Sequence, residues 1–205
     1  MADGLLMACG IRAFVAVNIP EALKAALGEA QARLRPAGAD VSWTAPRNIH
    51  LTLKFLGEVG ESGVQRVGRA LERAAASRAP FTVGVGGFGV FPPKGPPRVV
   101  WAGAGEGAEA LVALQDAVER ALAPLAFPRE ARRFTPHFTL GRVRSPRNAA
   151  ALVAAVADLG QGLLGSFSLD AIALMRSQLD PKGSIYTVLR HIPLIGAAGA
   201  PFPMS

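Results

Sequence analysis

His50-Leu51-Thr52-Leu53 and His137-Phe138-Thr139-Leu140 share one four-residue frame, 87 residues apart. Successive side chains of a β-strand point to opposite faces, so each stretch predicts a strand with His and Thr on one side and two apolar residues on the other. Each copy offers half a polar site backed by half a core. The chain has only three histidines, and two of them fall in this frame, which points to one site assembled from two structural halves. An imidazole titrates near neutrality, so one ring can give a proton while the other takes one. Thr52 and Thr139, on the faces of their histidines, can donate hydroxyl hydrogen bonds to phosphate oxygens. The pattern fits proton transfer at a phosphate, with His50 and His137 as the acid–base pair. The third histidine, His191, has no Thr two positions later and falls outside it.

The rest of the chain repeats around these two strands. Arg12 to Asn18 is a β-rich apolar run, followed at Pro20 by a helix with Leu23, Leu27 and Leu34 on one face. Val41 to Thr44 predicts a short strand, Ile49 to Leu56 the first motif strand, and Ser62 with Gln65 a capping box opening a helix. Phe81 to Phe91 returns as a strand. The second half predicts a strand at Arg98 to Ala102, a helix at Ala108 to Leu122, the second motif strand at Pro136 to Val143, and a helix capped at Ser145-Pro146. Strands follow at Ser166 to Met175 and Ile185 to Leu194. This order implies a diverged internal duplication, with lobes at about 11–91 and 98–194 inside one domain spanning 1–195, and a flexible tail at 196–205. Gly84-Val85-Gly86-Gly87-Phe88-Gly89 matches the dinucleotide-binding fingerprint as a string, but Pro92, Pro93, Pro96 and Pro97 follow where that fold needs a helix. A bulged Gly-rich strand is the expectation there.

Composition narrows the class. Half of the 205 residues are hydrophobic, enough for one substantial core, and the formal charge of +7 comes mostly from 18 arginines. Guanidinium grips phosphate oxygens as a bidentate fork, and Arg129, Arg132, Arg133, Arg142, Arg144 and Arg147 cluster around the second motif. Cys9 is the only cysteine, which excludes an internal disulfide and fits a reducing, cytoplasmic setting. The opening stretch carries Asp3, lacks a basic leader and is interrupted by Arg12, and no apolar run reaches the length of a membrane span. The histidines and the cysteine are too scattered for a metal site, so metal-independent chemistry without a cofactor is expected, in a soluble monomer with no obligate protein partner.

The segments His50-Leu51-Thr52-Leu53-Lys54-Phe55-Leu56-Gly57 and Pro136-His137-Phe138-Thr139-Leu140-Gly141-Arg142 resemble the two signature motifs of the two-histidine phosphoesterase superfamily. Within it, the chain is similar to the LigT-like RNA 2′,3′-cyclic phosphodiesterases, also described as 2′-5′ RNA ligases. Arg12-Ala13-Phe14-Val15-Ala16 resembles that family's first strand, and Ser177-Gln178-Leu179 with Gly183 and Tyr186 its C-terminal signature; Gly141 stands where Ala is usual. The resemblance implies a bilobal α+β fold with two antiparallel sheets facing a central cleft, helices outside, and one motif strand from each lobe lining the cleft. It implies a substrate RNA ending in a 2′,3′-cyclic phosphate, opened by water to a 2′-phosphate, with His50 donating to the departing 3′ oxygen and His137 accepting from water. The sequence itself leaves open which histidine is acid and which is base. Arg142 is expected on the His137 face of a regular strand, as a third phosphate contact. Phe14 and Phe55 could stack a base, but core packing is the expectation for both. Reverse chemistry (ATP-independent 2′-5′ ligation), small cyclic nucleotides as substrates, and a non-catalytic RNA-binding module are the alternatives.

Overall fold

Apolar runs bounded by Gly and Pro become nine strands and four helices in this structure, a computed structural model that describes residues 10–181 and 183–196. In chain order they are β1 (Ile11–Asn18), α1 (Glu21–Leu34), β2 (Val41–Trp43), β3 (His50–Val59), α2 (Glu61–Ala76), β4 (Phe81–Phe91), β5 (Val99–Ala104), α3 (Ala108–Leu122), β6 (His137–Val143), α4 (Ala149–Leu159), β7 (Leu163–Leu169), β8 (Ala171–Gln178) and β9 (Ile185–Pro193). The strands run in the order β7-β4-β5-β6-β3-β1-β8-β9, all pairings antiparallel, with β2 added on β6.

The joint in the middle of this order is a single bridge, Leu51 with Phe138. The architecture is therefore two four-stranded antiparallel sheets, β3-β1-β8-β9 and β7-β4-β5-β6, joined edge to edge at one residue pair and curling around a cleft. Helices α2 and α3 pack on each other and against β9 and β3, while α1 and α4 pack on each other and against β7 and β4. One contiguous core runs through both sheets, from Val15 and Leu51 to Val100 and Phe138.

The duplication is visible as β1-α1-β3-α2-β4 against β5-α3-β6-α4-β8, but the halves do not fold as the contiguous lobes 11–91 and 98–194. Strand β4 pairs with β5 and β7 of the later half, and β8, followed by β9, joins β1 of the earlier half. Each half sends its closing strand into the other's sheet. Alternation in the sequence fixes which face of a strand is buried, not which edge it joins, so this exchange is invisible to pattern reading.

Smaller differences have local causes. Helix α2 begins at Glu61 behind Gly60, with no side-chain cap, so Ser62 lies inside it rather than capping it. Helix α4 begins after Asn148, which takes a left-handed conformation, so Ser145 and Pro146 belong to the preceding turn. The single strand expected at 166–175 is divided at Asp170 into β7 and β8. The Gly-rich stretch is strand β4, with a register shift between Gly86 and Phe88 and Gly87 at φ 62°. Gly141 is required by packing: a Cβ there would lie 2.6 Å from Val41 Cγ1 and 3.1 Å from the Trp43 ring, so β2 occupies the space of the missing methyl. The expected tail lies outside the described residues beyond Gly196, whose N–H donates to Arg78 O at 2.9 Å.

Candidate active site

The bridge that joins the two sheets is made by the residue between His and Thr in each motif. Leu51 and Phe138 are wholly buried in the core, so their neighbours on each strand, His50, Thr52, His137 and Thr139, project to the other side. There all four line one cleft of about 680 Å³. The antiparallel sense of the bridge faces His50 with Thr139 and Thr52 with His137. Two copies of a short motif thus become one site about a pseudo-twofold axis.

Each imidazole is held in the same way. Nδ1 of His50 lies 2.7 Å from Asn48 O, and Nδ1 of His137 lies 2.7 Å from Thr135 O. A carbonyl oxygen only accepts, so Nδ1 carries the hydrogen in both rings and Nε2 is left for chemistry. Thr52 Oγ1 sits 3.1 Å from His50 Nε2. Aromatic rings stand edge-on to both: Tyr186 to His50 with centroids 5.1 Å apart, and Phe91 to His137, also at 5.1 Å. Phe14 adds a tilted contact to His50 at 4.9 Å. Burial pushes both imidazoles below their ordinary pKa, against the raising effect of the carbonyl hydrogen bonds. The positive charges of Arg142 and Arg132 lower His137 further, and Lys24 does the same to His50.

Both motif strands bulge at the same position. Thr52 pairs with Ala16 and Lys54 with Val15, which leaves Leu53 as the extra residue; Thr139 pairs with Trp101 and Gly141 with Val100, which leaves Leu140. The bulge at Leu140 is secured by α1, whose buried Gln31 donates from Nε2 to Leu140 O (2.8 Å) and to Thr44 O (2.7 Å). Strict alternation would put Arg142 with Leu140 on the core side, contrary to the expectation from a regular strand. The extra residue reverses that parity, and Arg142 is exposed and lines the cleft. Phe55 holds the equivalent position after the first bulge. It is 64% exposed and also lines the cleft, so the expectation that it packs in the core is overturned. Phe14 is buried as expected, in the small cluster beneath His50.

Elements far along the chain complete the wall. Ser177, Leu179, Ser184 and Tyr186 arrive from β8, β9 and the turn between them, and Asn48 Nδ2 ties that turn to the His50 strand through Ser184 O at 2.7 Å. Arg132 and Arg133 enter from the stretch before β6. Of the remaining clustered arginines, Arg129 pairs with Asp116 and Arg144 donates to Ser42 Oγ. His191 is exposed on β9 and does not line the cleft. Among the described residues no three His, Cys, Asp or Glu side chains converge as metal ligands, and no helix is long and apolar enough to cross a membrane.

Paired His-x-Thr strands meeting at the seam of two antiparallel sheets define an α+β protein of duplicated design, with an imidazole pair in its cleft. The chain belongs to the 2′-5′ RNA ligase superfamily, whose family model matches residues 19–181. A relative from Methanothermobacter thermautotrophicus, called RNA 2′,3′-cyclic phosphodiesterase, is 37% identical over 177 residues, 86% of this chain and 95% of its own length. The crystal structure of TT0787 of Thermus thermophilus is 35% identical with a TM-score of 0.75, covering 91% of this chain and 99% of that one. The fold is shared with Escherichia coli LigT, solved with 3′-AMP, at a TM-score of 0.73 and 23% identity over 90% of this chain and 98% of that one.

Proposed function

We propose that this protein opens the terminal 2′,3′-cyclic phosphate of RNA to a 2′-phosphate without a metal, acting as a monomer whose single chain supplies both halves of the cleft. The reading rests on the Leu51–Phe138 bridge, which sets both imidazoles and both threonine hydroxyls around one space. Water attacks phosphorus as His137 Nε2 takes its proton, the bond from phosphorus to the 3′ oxygen breaks, and His50 Nε2 protonates that oxygen. Thr52, Thr139 and Arg142 hold the non-bridging oxygens, whose charge grows in the transition state. The guanidiniums beside His137 favour its neutral form, which suits a base.

The test is purified protein in chelator with an oligonucleotide ending in a 2′,3′-cyclic phosphate. A 2′-phosphate product is expected, and no turnover, or a 3′-phosphate product, would overturn the assignment. An added 5′-hydroxyl strand tests the reverse reaction, since it would replace water as the nucleophile at the same phosphorus.

The pH dependence follows from the imidazoles. Free enzyme must hold one ring protonated and the other neutral, and both pKa values lie below the ordinary 6.5. Raising the pH through these values removes the acid, and lowering it protonates the base, so kcat/KM is expected to peak below about 6.5. A bound phosphate anion favours the imidazolium, which moves the kcat profile to higher pH than that of kcat/KM. A kcat/KM maximum on the alkaline side of neutrality would contradict this.

A further inference from the structure

The stretch 126–136 between α3 and β6 contains no helix or strand, yet it is anchored from beneath by buried charge. Lys54 Nζ on β3 donates to Glu119 Oε2 on α3 (2.6 Å) and to Pro128 O (2.8 Å); Glu119 Oε2 also accepts the Glu130 N–H (3.3 Å), and Gln115 Nε2 donates to Glu119 Oε1 (3.0 Å). Lys54, Gln115 and Glu119 are all buried. Arg129 is engaged by Asp116. Arg132 and Arg133 are different: both line the cleft and neither pairs with a carboxylate among the described residues. The Arg132 guanidinium lies 5.7 Å over the Phe91 ring, the same ring that stands against His137. Glu130 lines the same cleft but pairs with neither, so two guanidiniums stand there with no carboxylate bonded to them among the described residues, free to receive an anion other than the one between the imidazoles.

We propose that Arg132 and Arg133 form a second anion subsite that takes the phosphate on the 5′ side of the terminal ribose, so that the enzyme prefers RNA ends over bare cyclic mononucleotides. This rests on the hydrolase reading of the cleft and names its substrate more closely. Lys54 and Glu119 are positioning residues, acting through the stretch that carries the arginines.

Three substrates test it: a 2′,3′-cyclic mononucleotide, the same compound with a 5′-phosphate, and a trinucleotide ending in a cyclic phosphate. Wild-type kcat/KM is expected to rise by roughly tenfold or more with the 5′-phosphate, the size of a charge-assisted contact, and to stay high on the trinucleotide. Arg133→Gln, which leaves the Arg132–Phe91 contact in place, is expected to remove most of that rise through KM, and Arg132→Gln/Arg133→Gln all of it. Binding of a trinucleotide ending in a 2′-phosphate gives a readout independent of turnover. Its log Kd against log salt should become shallower by about 0.7 for each phosphate that the variant no longer neutralises. Equal wild-type rates on the three substrates, or the same fold loss on all three in Arg133→Gln, would overturn the subsite. Absence of turnover on every substrate, with binding still dependent on the two arginines, would instead sink the hydrolase reading and leave the subsite standing.

Discussion

His50→Asn and His137→Asn are each expected to lower kcat on a cyclic-phosphate end by about 10²–10⁴-fold, the usual yield of a positioned acid or base. Asparagine is the informative replacement because its amide N–H can still reach the carbonyl that each Nδ1 now engages, Asn48 O or Thr135 O. It also fills much of the space between Phe14 and Tyr186, or beside Phe91. Proton transfer is lost while the local scaffold is kept. The two rings serve one displacement, so the double variant should lose far less than the product of the single effects. Stopped assays with separation of cyclic and 2′-phosphate ends, beside a thermal melt of each variant, provide the check. A variant that melts like wild type and keeps a tenth of its rate would rule out the two-imidazole mechanism.

Lys54→Met is expected to cost about 3–5 kcal/mol of stability, because it leaves the Glu119 carboxylate charged and buried without its cation. Against a typical total of about 5–15 kcal/mol, that is a large fraction. Lys54→Met/Glu119→Leu should recover most of the loss, since apolar side chains of similar size tolerate a site that a lone charge does not. The recovered protein would still lack the donor to Pro128 O, so its stability should return while its preference for 5′-phosphorylated ends does not. Urea unfolding at unchanged m-value measures the first effect, and the substrate ratio the second. A single variant within about 1 kcal/mol of wild type would mean that the pair is not stabilising.

The paired motifs were legible because their information is local: two-residue alternation alone sends His and Thr one way and Leu or Phe the other. The helices at Glu21–Leu34 and Ala108–Leu122 were legible for the same reason, from apolar spacing along one face. What the sequence hid comes from distant partners. The bulge that turns Arg142 toward the cleft is held by Gln31, 109 residues away, and alternation without it puts that arginine on the wrong face. Phe55 reads as a core residue by type and is exposed after the equivalent bulge. Phe91 and Tyr186 reach the histidines on strands β4 and β9, which lie in the sheet of the opposite half. Nothing in the pattern around Lys54 announces a buried ion pair, because its partner is on a helix 65 residues further on.

The exchange of closing strands has a consequence for the order in which the protein is made. The wall behind His50 needs β8 and the Tyr186 of β9, so the first motif, although translated early, waits for the last strands before its imidazole is enclosed. A ribosome that stalls midway releases a polypeptide carrying both histidines at most, and no finished chamber around them. Competence to act on RNA is thereby tied to the emergence of β8 and β9.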